Sequence, residues 1–194
     1  MNTPKNICKI AALFFICLLS LTNSFAQTET QQRQTEPSYE VILNVLTASN
    51  NTNDKLPVPK TLSNVLKKLQ NTYSLSNYRL DSTYLGRIGN PGGFEYKSII
   101  NQNQESLVPT FSEWSLNILK NPPNVQGKES IECQGFRFGQ RVPVKTANGV
   151  NYEQIGLNMQ RFSLPEGVPT IVGSLTTAKP DELMFLILTV KSSD

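Results

Sequence analysis

Two pairs of carboxylates, Glu129 with Glu132 and Asp181 with Glu182, are the closest this chain comes to a general acid–base set. Glycoside hydrolysis needs two carboxyls held at a fixed separation across a cleft. Closeness in sequence does not supply that, and both pairs sit beside turns or strand starts, where a charge is ordinarily solvated. A serine–lysine nucleophile would show as Ser-x-x-Lys on one helical turn, and the chain contains none. Gly89, Gly92 and Gly93 imitate a phosphate-binding loop, but neither a helix nor a Lys-Ser/Thr pair follows them, so the segment reads as a hairpin turn. Phe136-Arg137-Phe138 could stack on bases, yet the same alternation is what a strand with one wet face shows. There is no histidine, which removes Ser-His-Asp and Cys-His nucleophiles, imidazole ligands and a proton switch near neutral pH. No catalytic residue, metal ligand or cofactor is expected, and the protein reads as a non-enzyme. The side chains best suited to hold a ligand are Tyr84, Tyr96 and Trp114, aromatics on separate strands that could line a groove for a glycan or peptide.

Positioning comes from the rest of the 194 residues. Met1 to Lys9 carries Lys5 and Lys9 and no acid. Ile10 to Leu21 is apolar almost throughout, and small residues stand at Ser24 and Ala26. This is the plan of an export signal spanning 1–26, cleaved after Ala26, with an apolar run too short to span a bilayer. Its removal leaves 168 residues with 16 basic against 15 acidic side chains, so the formal +3 charge falls to about +1. Nucleic acid loses its electrostatic motive as a partner. Cys8 and Cys17 leave with the signal, and a lone Cys133 can form neither an internal disulfide nor a cysteine-rich metal site. The expected location is the periplasm or the exterior, with outer-membrane association allowed and no transmembrane helix in the mature chain.

Residues 27–38 are polar and read as a flexible leader. Tyr39, Val41, Leu43 and Val45 alternate with Glu40, Ile42, Asn44 and Leu46, which predicts a strand. Leu62, Val65, Leu66, Leu69 and Tyr73 fall on one helical stripe, with Pro59 or Thr61 placed to start it. Beyond the helix nearly everything alternates: Tyr78, Leu80 and Tyr84; Phe94 and Tyr96; Trp114, Leu116 and Ile118; Ile131 and Cys133, then Phe136 and Phe138 after Gly135. Asn148-Gly149 predicts a tight hairpin, and the odd spacing from Tyr152 to Ile155 predicts a bulge or a phase shift. Leu183 to Val190 is apolar on both faces, as a strand buried on both sides would be. Asn121 to Asn124, with two prolines, is the expected boundary between an α+β module (39–120) and a β-rich module (125–194). The fold class expected is α+β dominated by antiparallel β-sheet.

Within the second module, Gly139, Gln140, Val142 and Pro143 resemble the "G-Q-x-V-P" strand that opens the core domain of bacterial secretins. Tyr152, Ile155, Gly156 and Leu157 are similar to the same family's "Y-x-x-V-G-x-x-L" strand. Glu166 to Gly173 is similar to its "D-G-x-x-x-x-x-G-G" strand, and Leu183 to Lys191 to its closing "E-L-L-V-x-L-T-P" strand. Leu56 to Leu80 loosely resembles the small α+β modules that precede the core. Secretins form ring-shaped outer-membrane channels in type II and III secretion and type IV pilus systems. The resemblance implies their sheet architecture, an exported location, and envelope or secretion-system proteins or further copies of the chain as partners. It does not carry channel activity. Only a few residues separate Met159 from Glu166 where a secretin has long gate and wall strands, Ser174 replaces the second glycine, and the "P-x-L-G-x-I-P" lip is missing before Leu183. The expected function is a structural or interaction role in the envelope without its own pore, the alternative being a soluble ligand-binding module.

Overall fold

A computed structural model describes residues 38–50, 58–89, 92–100, 108–118, 130–177, 179 and 181–193. The export signal, most of the polar leader, the Asn121–Asn124 segment and Glu129 lie outside the described residues. Eight strands follow in chain order: β1 (Ser38–Ser49), β2 (Asn77–Gly89), β3 (Gly92–Ile100), β4 (Thr110–Ile118), β5 (Ser130–Thr146), β6 (Gly149–Pro165), β7 (Thr170–Thr176) and β8 (Glu182–Ser193). One helix, α1 (Ser63–Thr72), lies between β1 and β2. The strands form two antiparallel sheets, β2-β1-β8-β7 and β3-β4-β5-β6. The fold is α+β and dominated by antiparallel sheet.

The sheets stack as layers because their inward faces are apolar. Val41, Leu43, Met184, Leu186 and Leu188 of the first sheet meet Trp114, Leu116, Ile131, Phe136 and Phe138 of the second in one core. On its other face the first sheet carries Leu46, Ala48, Phe185 and Ile187, against which α1 lays Val65 and Leu69. β8 is therefore buried on both sides, as its unbroken apolar run predicts. The helix begins through a 3-10 turn at Lys60–Leu62, in which the Leu62 amide donates to the Pro59 carbonyl (3.0 Å). Pro59 rather than Thr61 opens it, and no side chain caps the N-terminus of α1.

Register irregularities change which face a residue occupies. Val45 pairs with Ser82 and Leu46 with Leu80, leaving Asp81 as an extra residue. Tyr78 and Leu80 therefore join the layer beneath the helix, while Tyr84 turns into the inter-sheet core. Of the bulge or phase shift expected between Tyr152 and Ile155, the bulge is absent, since pairing runs unbroken from Tyr152–Pro143 to Ile155–Gln140. The odd spacing arises because Tyr152 lies on the outer face and packs on Phe111 (ring centroids 5.6 Å) instead of entering the core. The β5–β6 hairpin closes where Asn148 and Gly149 predict, but Thr146 pairs with Gly149, so Ala147 and Asn148 form the loop. The positive φ falls on Gly149 alone (+127°).

The described residues form one compact unit. Both sheets draw strands from either side of the 119–129 segment: β8 pairs with β1, and β5 with β4. The predicted boundary at 121–124 thus does not separate two cores.

Candidate functional site

Tyr84, Tyr96 and Trp114 come together. Tyr96 and Trp114 are cross-strand partners on β3 and β4, and Tyr84 reaches them from β2 in the facing sheet. Tyr84 lies 5.1 Å from Tyr96 and 6.1 Å from Trp114, and Phe94 meets Trp114 edge-on at 4.5 Å. Gly86 leaves room for this packing, because a Cβ there would stand 3.2 Å from the Phe94 ring. The cluster fills the space between the sheets: Trp114 is 1% exposed, Tyr84 7% and Tyr96 40%. Two positions along the strands, on the same inner face, Ser98, Ser112 and Gln140 form a polar row across β3, β4 and β5. Tyr84 Oη donates to Ser112 Oγ at 3.5 Å. Trp114 Nε1 and Ser98 Oγ are buried without a hydrogen-bond partner among the described residues, an arrangement that costs about 1–3 kcal/mol per group.

The opposite, outer face of the second sheet holds features that the sequence pattern did not single out. Arg141 lies over the Phe111 ring at 5.0 Å, and Phe111 in turn meets Tyr152, whose Oη donates to the Pro109 carbonyl at 3.1 Å. Gln154 Nε2 donates to Glu113 Oε1 at 3.5 Å. These two residues stand on β6 and β4, on either side of β5, and their contact crosses above Gly139, which has no side chain to obstruct it. The only signal for this stack was Phe111, out of phase with Trp114, Leu116 and Ile118. The motif residues of the second half are cross-strand partners: Gly139 faces Gly156, Gln140 faces Ile155, and Pro143 faces Tyr152. A Cβ on Gly156 would stand 2.5 Å from the Phe138 carbonyl oxygen, so close backbone approach requires glycine there.

No protein family matches the sequence of this chain, and no curated protein does. Several solved structures share a distant likeness, two secretins among them. The Type IV competence pilus secretin PilQ of V. cholerae aligns with 81% of this chain at 9% identity and a TM-score of 0.37. The Salmonella SPI-1 type III secretion injectisome secretin InvG, in the open gate state, aligns with 81% at 12% identity and a TM-score of 0.29. In each case the match spans 58% of the secretin chain. The likeness concerns the fold alone.

Reactive groups offer little. Cys133 is fully buried, and burial, with a smaller push from Glu132, raises its thiol to about 12. Glu132 is ion-paired with Arg161, and Glu182 lies 3.6 Å from Lys179. The hydrogen bond between Glu95 and Lys97 (2.9 Å) draws the carboxyl below and the ammonium above their ordinary values. Among the described residues no group of three or more His, Cys, Asp or Glu side chains could hold a metal, and no helix is long and apolar enough to cross a membrane.

Proposed function

We propose that this protein is an exported, non-catalytic interaction module of the cell envelope, accessory to a secretion or pilus system and without a pore of its own. The observation that carries the reading is the β5–β6 hairpin. Its strands run 17 residues each, and β6 is the last strand of its sheet. The side of β6 away from β5 is a row of backbone donors and acceptors, the physical means by which one protein adds a strand to another. The export plan of residues 1–26 and the secretin-like motifs on this same hairpin support the compartment and the partner class. Size-exclusion chromatography with light scattering and pull-down from the native envelope test it. Oligomers or co-purifying secretion or pilus components are expected, and a strict monomer that retains no envelope partner overturns it.

A second reading, a soluble module for a glycan or peptide, is favoured by one observation. The buried Trp114 indole N–H and Ser98 hydroxyl lack partners beside the Ser112–Gln140 row, and Tyr96 gives the cluster a face to solvent. A ligand entering there shifts the emission of Trp114, the single tryptophan. An unchanged spectrum across a glycan and peptide panel rejects this reading.

A further inference from the structure

All four strands of the first sheet have an end on the same side of the molecule. β1 and β7 finish there, β2 and β8 begin, and the chain passes from α1 to β2 through Leu75. Ser49 accordingly pairs with both Asn77 and Glu182, and Leu183 with both Ala48 and Thr176. These ends surround an open cavity of about 630 Å³, a size that suits a small ligand. Leu75 and Leu183 give it apolar walls that continue the core beneath α1. Asn50, Lys179, Asp181 and Glu182 line its polar side.

Hydrogen bonds within the chain hold these walls. Asn50 Oδ1 accepts from the Ser76 amide (3.2 Å) and the Ser76 hydroxyl (3.4 Å), which ties the α1–β2 connection to the end of β1. In the β7–β8 turn the Thr177 amide donates to the Glu182 carbonyl at 3.4 Å, and the Lys179 amide donates to Thr177 Oγ1 at 3.2 Å. The Lys179 ammonium lies 3.6 Å from the Glu182 carboxylate, whose side chain is 13% exposed, so that cation is already engaged. Asp181 forms no ion pair among the described residues. Its backbone is held at φ +62°, the left-handed region that Asp and Asn tolerate better than other side chains.

Charge and lining select the ligand. With Lys179 neutralised by Glu182, the Asp181 carboxylate leaves the rim one negative charge in excess, which disfavours anions. Among the described residues no aromatic ring lines the cavity to stack on a sugar. Asp181 and Glu182 have no third ligating side chain beside them to hold a metal. An organic cation on a hydrocarbon body meets both halves of the site, with its charge at Asp181 and its hydrocarbon on Leu75 and Leu183.

We propose that this cavity binds a primary ammonium carried on a short hydrocarbon chain, supplied by a free amine or by a lysine side chain of a peptide. The site stands apart from the β6 edge, so its failure leaves the strand-edge reading intact and the failure of that reading leaves the cavity intact.

The test is an amide-shift titration of the isotope-labelled full chain with hexylammonium, and with hexanoate as the control of opposite charge. Hexylammonium shifts the amides of Leu75, Thr177, Glu182 and Leu183 to saturation in the millimolar range, and hexanoate does not. Asp181→Asn keeps a residue suited to the left-handed backbone and weakens binding about threefold to fivefold. Asp181→Gly, which relieves that backbone, gives the same loss. Added salt weakens binding in the parent chain more than in either variant. Tighter binding of N-acetyl-lysine amide than of hexylammonium assigns the peptide source, and weaker binding assigns the free amine. Equal binding of hexanoate, unchanged affinity in the Asp181 variants, or no saturating shift at these amides overturns the proposal.

Discussion

The two sheets have the same number of strands, the same antiparallel pairing and opposite surroundings. β2-β1-β8-β7 is covered on one face by the other sheet and over part of its second face by α1. Among the described residues β3-β4-β5-β6 is covered on one face only. The consequence is written in the side chains. β8 places Met184, Leu186 and Leu188 on one face and Phe185 and Ile187 on the other, all buried. β5 alternates Phe136 and Phe138 with the exposed Arg137 and Arg141. The first sheet is a stability element whose surface is consumed by the fold. Among the described residues the second keeps a face and two edges free, and those are where charge, aromatic stacking and exposed apolar groups collect.

Substitutions sharpen this division, beginning with the largest effect. Phe185 is fully buried between sheet and helix and meets Tyr73 edge-on at 5.0 Å. Phe185→Ala is expected to lower unfolding stability by about 3–5 kcal/mol in urea titration, and a loss under 1 would deny that α1 closes a second core. Gly156→Ala acts on the second sheet through backbone, not burial, since the Phe138 carbonyl occupies the place of a Cβ. A loss of about 1–3 kcal/mol is expected, with faster amide exchange along β6.

The pH response comes next. The Cys133 thiol stays protonated in the fold up to about 12, whereas a cysteine in the unfolded chain ionises near ~8.5. The unfolded state therefore loses its proton first, and stability falls as pH rises between those two values. Tyr78, raised by burial and by neighbouring Tyr73, adds to the loss further up the same range. Cys133→Ala flattens the decline, and in the parent chain Ellman's reagent labels Cys133 only after unfolding. Smallest of all, Lys97→Ala removes an exposed ion pair from the wet face of the second sheet and leaves the urea midpoint unchanged. A measurable shift there would mean that this face is not free.

The first sheet was the more legible of the two. Its strands and helix carry their burial in periodicity, so the Leu62–Tyr73 stripe and the doubly apolar Leu183–Val190 run identified their own places. Single-residue register changes were illegible. Nothing in Tyr78, Leu80 and Tyr84 announces that Asp81 is an extra residue that sends Tyr84 to the opposite face. In the second sheet, alternation located the strands, but the outer face escaped. Phe111, Arg141 and Tyr152 lie 11 to 41 positions apart in sequence, and only pairing brings them together. In the sequence Tyr84, Tyr96 and Trp114 are simply aromatics on separate strands. Their meeting in the structure depends on a contact between sheets that no local pattern encodes.

One feature of the first sheet bears on time rather than on stability. β8 lies between β1 and β7 and contributes to both cores, and Ser38 Oγ and Ser193 Oγ meet at 2.6 Å across 155 positions of chain. A chain delivered from its N-terminal end therefore presents β1 long before its neighbour exists. Until residues 182–193 emerge, β1 is apolar on two sides and paired on one, and neither layer can close. Closure of both layers therefore waits for residues 182–193. During that interval β1 is an exposed strand, the kind of segment a holding chaperone grips.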